Sequence, residues 1–111
     1  MKLSTKEIEN ITVIKLEGNV LGGPDATALN DILHKLLDKK KRKIVVDLSG
    51  VESMNSSGLS MLIGALTTVR NAGGILKIAA PSKKIESLLV ITKLTSVFEL
   101  YRTVKKAISS F

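Results

Sequence analysis

Residues 44–59 read IVVDLSGVESMNSSGL, and this stretch decides the fold of the chain. Ile44 to Leu48 is a short apolar run broken only by Asp47, which is typical of a central strand covered on both faces of a sheet. Asp47 is expected near the end of that strand, and Ser49 to Ser57 is expected to form a polar turn. The stretch therefore predicts a buried strand whose carboxyl end carries a polar loop, where open α/β sheets usually meet ligands and partners.

A helix is predicted to follow this loop, from Gly58 to Arg70. Its apolar side chains recur at three- and four-residue intervals until Gly73-Gly74 stops the pattern. Asn55 or Ser56 can cap the helix through a side-chain oxygen, which would leave the Ser57 hydroxyl in the first turn and open to solvent. From the residues alone, the serine pair is a plain helix cap.

The other elements are short and regularly spaced along the chain. They comprise an antiparallel hairpin of Leu3 to Ile8 and Ile11 to Leu16, a loop from Gly18 to Gly23, a helix opened by Pro24, a strand Ile75 to Ala79, a short helix after Pro81-Ser82, a strand Val97 to Tyr101 and a terminal helix Thr103 to Ile108. The order ββαβαβαβα, with right-handed crossovers, predicts one mixed α/β sheet with helices packed against it. We expect a single domain over residues 1–111.

Composition limits the function classes. The hydrophobic share of 44% can supply a core, and the absence of cysteine excludes a disulfide framework, a thiol nucleophile and a thiolate zinc site. The amino terminus has no apolar core of signal-peptide length, and no later apolar stretch nears about 18 residues. We therefore expect a cytoplasmic protein without membrane insertion.

The net charge of +7 favours an acidic partner, whether protein, nucleic acid or anionic membrane. Much of the excess lies in the run Lys39 to Lys43, between a helix and a strand, where a solvated loop is expected. Only Phe98, Tyr101 and Phe111 are aromatic, so stacking platforms for single-stranded nucleic acid are scarce. Direct nucleic-acid binding is not expected, and nucleotide or nucleic-acid binding stays a third hypothesis.

Catalysis is not indicated by the polar residues. His34 is the only histidine, and it is expected on the surface of the first helix without a second ligand or a nearby nucleophile. The glycines lack the spacing of a P-loop or a dinucleotide fingerprint. We therefore expect that the protein is not an enzyme and that it holds no metal and no cofactor. Met54 and Met61 are expected to pack in or near the core.

The block Asp47 to Leu59 closely resembles the signature of STAS proteins of the anti-sigma factor antagonist type. The resemblance continues through Gly73-Gly74, the strand Ile75 to Ala79, and residues 91–101, so it includes nearly the whole chain. In that family an unmodified antagonist binds a serine-kinase anti-sigma factor and frees the sigma factor. Phosphorylation of the motif serine breaks the complex, and a serine phosphatase restores it.

The resemblance implies that Ser57 is the phosphoacceptor and that the partner-binding face combines the motif with the loop after Leu16. The implied partner-binding residues are Gly18, Asn19, Ser53, Asn55, Ser56, Ser57, Gly58 and Leu59. Asn55 stands where the family usually has an acidic residue, and the loop Gly18 to Gly23 lacks the acidic residue that commonly follows its glycine. The implied protein is a monomer or weak dimer.

A second hypothesis is a STAS subunit that binds without a phosphoswitch, as an accessory of a transporter or as part of another signalling complex. Asn55 favours this alternative, whereas the length of the chain and the intact Ser56-Ser57-Gly58 favour the switch. Fold alone does not separate the two hypotheses.

Overall fold

The computed structural model describes all residues, 1–111. Its strands are β1 (Lys2–Ile8), β2 (Ile11–Val20), β3 (Lys43–Met54), β4 (Ile75–Ala79) and β5 (Glu99–Tyr101), and its helices are α1 (Pro24–Asp38), α2 (Ser56–Asn71), α3 (Lys83–Ile91) and α4 (Val104–Ser109). A 3-10 turn covers Leu94–Ser96. The predicted order ββαβαβαβα is confirmed.

The sheet has the spatial order β1-β2-β3-β4-β5, with β3 in the middle as predicted. The pair β1 and β2 is antiparallel, and all later pairs are parallel. Glu9 and Asn10 connect the hairpin, both with positive φ (53° and 67°), which is the two-residue turn whose twist matches that of the strands. The parallel strands therefore have their carboxyl ends at one end of the molecule and their amino ends at the other.

Two apolar clusters hold the layers together, one on each face of the sheet. The larger cluster packs β2 to β4 against α1, α2 and α3, through side chains such as Ile14, Leu33, Val46, Leu62 and Leu89. The smaller cluster lies under α4 on the opposite face, and it contains Val13, Val45 and Ile108. Met54 and Met61 belong to the larger cluster, as predicted.

Two segments predicted as loop or turn are strand instead. Gly18 to Val20 extends β2, so the predicted loop starts only at Leu21, and Ser49 to Met54 extends β3, so only Asn55 separates β3 from α2. Each extension pairs with the other, since Gly18 lies opposite Val51 and Val20 lies opposite Met54. We call these two paired extensions the β2–β3 ribbon. The ribbon projects beyond β4, whose pairing with β3 stops at Asp47, and its polar residues led to the wrong prediction of loops.

Smaller shifts occur at other element ends. Helix α2 begins at Ser56 and not at Gly58, and β5 begins at Glu99 because the 3-10 turn and its cap occupy the residues before it.

No helix has the length and apolar character needed to cross a membrane.

Asp47 lies at an irregularity in the pairing of β2 with β3. It lies inside β3 and not at its end, it is buried, and its Oδ1 accepts a hydrogen bond from the Ser49 amide at 2.9 Å. The pairing of β2 with β3 shifts register between Lys15 and Glu17, directly beside this bond. Such irregularities bend a strand and re-aim its side chains, so the role we assign to Asp47 is structural.

Candidate partner-binding site around Ser57

The candidate site lies where the β2–β3 ribbon meets the first turn of α2. Asn19 and Ser53 are opposite each other in the register of the ribbon. The Ser53 hydroxyl donates a hydrogen bond to Asn19 Oδ1, with an oxygen–oxygen distance of 2.7 Å. The structure thus brings together Asn19 and Ser53, which the sequence assigned to one face but placed in two separate loops.

Asn55 caps α2. Its backbone is extended (φ −100°, ψ −176°), and its Oδ1 accepts a hydrogen bond from the Gly58 amide at 2.8 Å. Of the two predicted capping residues, Asn55 is therefore the one that caps. Ser56 and Ser57 become the first two residues of the helix, and both are exposed.

Gly58 lets the helix begin directly against the end of β2. A Cβ on Gly58 would overlap the carbonyl oxygen of Val20 and lie 2.8 Å from Met54 Cγ. Gly58 and Leu59 are both buried. They are predicted partner-binding residues, and their position implies that they orient the exposed first turn without forming its surface.

The loop between β2 and α1 fixes the other side of Ser57. Gly22 has φ +80°, and a Cβ on it would lie 2.7 Å from Ser57 Cβ. Leu21 before it is 51% exposed, and its amide donates to Asp25 Oδ2 at 3.3 Å. Loop and helix are thus in direct contact at the serine, and an exposed leucine lies at this edge.

The sequence alone missed Gly22 as a site residue. The pair Gly22-Gly23 was available as a signal, because adjacent glycines before a helix mark a backbone that needs positive φ or close approach. No local sequence pattern indicated that Gly22 approaches Ser57 in α2.

Helix α2 has no charged side chain between Ser56 and Val69; Arg70 in its last turn is the first. A groove of about 490 Å³ runs along it beside α1 and starts at Ser57. Its lining is mostly small or apolar: Gly22, Gly23, Ala26, Leu29, Asn30, Leu33, Ser56, Ser57, Ser60, Met61, Gly64, Ala65 and Thr68. Depletion of charge is a property of the central part of protein interfaces, so this surface suits a protein partner.

Other polar residues lie away from this face. His34 is exposed on α1, as predicted, and no group of three or more histidine or carboxylate side chains is placed to hold a metal ion. No buried side-chain nitrogen or oxygen lacks a hydrogen-bond partner. The site therefore consists of an exposed serine pair, a capping amide and a small-residue groove.

Comparison with known proteins agrees with this architecture. The STAS domain family model matches residues 2–107. A protein of Thermotoga neapolitana, provisionally named as an anti-sigma factor antagonist, is 31% identical over 77 residues, which cover 69% of this chain and 68% of the relative.

Solved structures share the fold at lower identity. A crystal structure from Thermotoga maritima, provisionally titled as an anti-sigma factor antagonist, superposes with a TM-score of 0.86 at 23% identity, covering 97% of this chain and 92% of that one. The phosphorylated form of the Bacillus cell fate determinant SpoIIAA superposes with a TM-score of 0.74 at 15% identity, covering 98% of each chain. Because the STAS domain family model matches nearly all residues, the chain belongs to the STAS domain family.

Proposed function

We propose that this protein is an anti-sigma factor antagonist that binds a serine-kinase anti-sigma factor through the Ser57 face and is released when Ser57 is phosphorylated. The observation that carries the proposal is the position of Ser57, exposed in the first turn of α2 beside a groove without charge. The name of the Thermotoga neapolitana relative supports the same class of partner. The protein acts by binding and catalyses no reaction, and its setting is the cytoplasm.

A phosphate on Ser57 fits the local backbone. The amides at the start of a helix have no partner within the helix, and the dipole there favours an anion. The Asn55 side chain already satisfies the Gly58 amide, and the Leu59 amide bonds to the Asn55 carbonyl. The amides of Ser56 and Ser57 precede these bonds, so they remain for the phosphate oxygens.

The same phosphate opposes partner binding. It adds about −1.5 to −2 charges and a hydrated group to a surface that carries no charged side chain from Ser56 to Val69 of α2. An interface that packs against small residues then has to desolvate this anion or stay open. In this mechanism the fold remains intact, binding is lost, and a serine phosphatase resets the protein.

Asn55 keeps the helix cap that an acidic residue would also provide, but it brings no negative charge next to the acceptor serine. This observation favours the second candidate, a STAS subunit that binds its partner without phosphorylation in a transporter accessory or another signalling complex. The two candidates use the same face and differ in whether Ser57 is ever modified.

The deciding experiment is peptide mass spectrometry of the protein isolated from its native cells under several growth conditions. The proposal predicts a phosphate localised to Ser57 that changes with condition and is missing in Ser57→Ala. Ser56→Ala is the matched control, because Ser56 is also exposed, one residue away, and its loss should leave the phosphate in place. A chain that never carries phosphate supports the constitutive binding subunit.

The partner is tested with the same variants as bait. Wild type and Ser57→Ala should retain a protein that transfers phosphate from ATP to wild type but not to Ser57→Ala. Ser57→Asp should not retain it. Equal retention by all three forms would contradict control of binding by charge at Ser57.

A further inference from the structure

The end of the molecule opposite to Ser57 is strongly basic. The parallel strands have their amino ends there, and α1, α2 and α3 run back from the carboxyl ends and finish there. We define the basic pole as the Lys and Arg side chains of this end: Lys39, Lys40, Lys41, Arg42, Lys43, Arg70 and Lys93. The unbroken run of five from Lys39 to Lys43 is its largest part.

Exposed aliphatic side chains lie among these cations. Ile75, the first residue of β4, is 46% exposed, Ile91 at the end of α3 is 77% exposed, and Val97 is 37% exposed. The Ile75 amide donates to the Arg42 carbonyl at 2.8 Å. Arg70 Nη2 donates to the Val97 carbonyl at 3.3 Å. These two hydrogen bonds place Ile75 beside Arg42 and Val97 beside Arg70.

Helix stabilisation accounts for only part of this surface. Cations near the carboxyl ends of helices interact favourably with the dipole, which explains Lys39 and Arg70. Acidic residues at the same end are fewer, namely Glu7, Glu9 and Asp38, and Glu7 is already paired with Lys41. The dipole gives no reason for isoleucine in water at Ile75 and Ile91.

We propose that the basic pole and its exposed aliphatic side chains adsorb the protein to an anionic lipid bilayer. Lys and Arg near such a surface are attracted to acidic headgroups, and aliphatic side chains enter the boundary between headgroups and acyl chains. Because no helix can cross a membrane, the contact is peripheral.

A bilayer fits this surface better than a nucleic acid does. Binding sites for single-stranded nucleic acid combine cations with aromatic rings, and duplex binding depends mainly on cations, whereas the exposed apolar side chains here are aliphatic. Phe98 is buried, and Phe111 lies over Lys77 on the face covered by α4. An adsorbed molecule keeps its carboxyl-end face, with Ser57, directed away from the lipid.

The test is sedimentation of the full chain with vesicles of phosphatidylcholine containing about one third phosphatidylglycerol, compared with phosphatidylcholine alone. We expect binding only to the anionic vesicles, and weaker binding as salt rises. The quadruple variant Lys39→Gln, Lys40→Asn, Arg42→Gln and Lys43→Gln should weaken binding by about fivefold for each side chain neutralised. Asparagine is chosen at Lys40 because its φ is +61°.

A matched control removes the same charge elsewhere. Lys83→Gln, Lys84→Gln, Lys105→Gln and Lys106→Gln change exposed lysines in the first turns of α3 and α4, at the Ser57 end, and should leave binding nearly unchanged. Ile91→Ser should weaken binding, whereas Leu21→Ser, which removes a 51% exposed leucine at the Ser57 end, should not.

Three results would overturn the proposal. The first is no binding to anionic vesicles at low salt. The second is equal loss in the two quadruple variants, which would show an effect of net charge alone. The third is full binding by Ile91→Ser together with tighter binding to duplex DNA than to vesicles, which would identify the basic pole as a binding surface for nucleic acid.

Discussion

Gly22 and Ser57 are in such close contact that a methyl group on the glycine would lie 2.7 Å from the serine Cβ. Gly22→Ala also has to hold an L side chain at φ +80°. We expect it to lower the free energy of unfolding by about 1–2 kcal/mol and to displace the loop from the serine. Thermal denaturation measures the first effect, and loss of partner retention measures the second.

Gly23→Ala is the comparison for that variant. Gly23 also has positive φ (58°), but nothing lies within 4 Å of its Cβ position. It should share the backbone cost without the displacement of Ser57. Equal loss of partner retention in both variants would show that the contact with Ser57 is not what matters.

Asn55 offers a direct separation of capping from charge. Asn55→Ala removes the acceptor for the Gly58 amide and should cost about 1 kcal/mol of stability. Asn55→Asp keeps the acceptor and places an anion at the helix start, so it should be at least as stable as wild type. Chemical denaturation of the three proteins checks the order, and an aspartate variant as unstable as the alanine variant would contradict it.

Two glycines of α2 should respond to alanine with opposite signs. Gly58→Ala brings a methyl group onto Val20 and Met54, and we expect a loss of about 2 kcal/mol or more. Gly64 has nothing within 4 Å of its Cβ position, so Gly64→Ala should gain about 0.5–1 kcal/mol from helix propensity. Urea unfolding of both variants is the measurement, and equal signs would show that the close packing of α2 on β2 is wrong.

Ser57→Asp should leave the fold intact. An acidic side chain in the first turn of a helix is favourable by about 0.3–1 kcal/mol, so the melting temperature should stay equal or rise slightly. Partner retention should fall all the same. A clear drop in melting temperature would mean that loss of binding reports unfolding and not charge.

Lys77 links β4 to the end of the chain on the face covered by α4. The lysine is buried, its Nζ donates to Ser110 Oγ at 2.6 Å, and it lies 4.2 Å from the centre of the Phe111 ring. Ser110→Ala removes this hydrogen bond from the buried ammonium and should lower the free energy of unfolding by about 1 kcal/mol. Lys77→Met removes the buried charge itself and should cost less. Thermal melts of the two variants test this order.

The apolar patterns predicted the element order, the central strand and the helix faces. Periodicity was sufficient for these because each depends on which side chains meet the core. It was not sufficient for Gly18 to Val20 or Ser49 to Met54, which are strands because they pair with each other across the chain. Polar composition reads as loop locally, and only the partner strand reveals otherwise.

The same limit applied at the site. The helix cap and the exposure of Ser57 were predicted because capping is a local property of residue types, although the cap was left open between Asn55 and Ser56 and the helix begins two residues earlier than predicted. The contact of Gly22 with Ser57 and the hydrogen bond of Ser53 with Asn19 join residues 34 or more positions apart. Such contacts follow from the ladder register and from the helix that packs on it.

Most of α2 carries no charged side chain. Between Ser56 and Val69 no side chain carries a net charge, and Arg70 lies at the far end. A single anion added in the first turn of this helix would be the only charge on it before Arg70. In the proposed switch, one phosphate group therefore changes the net charge of this whole stretch of helix.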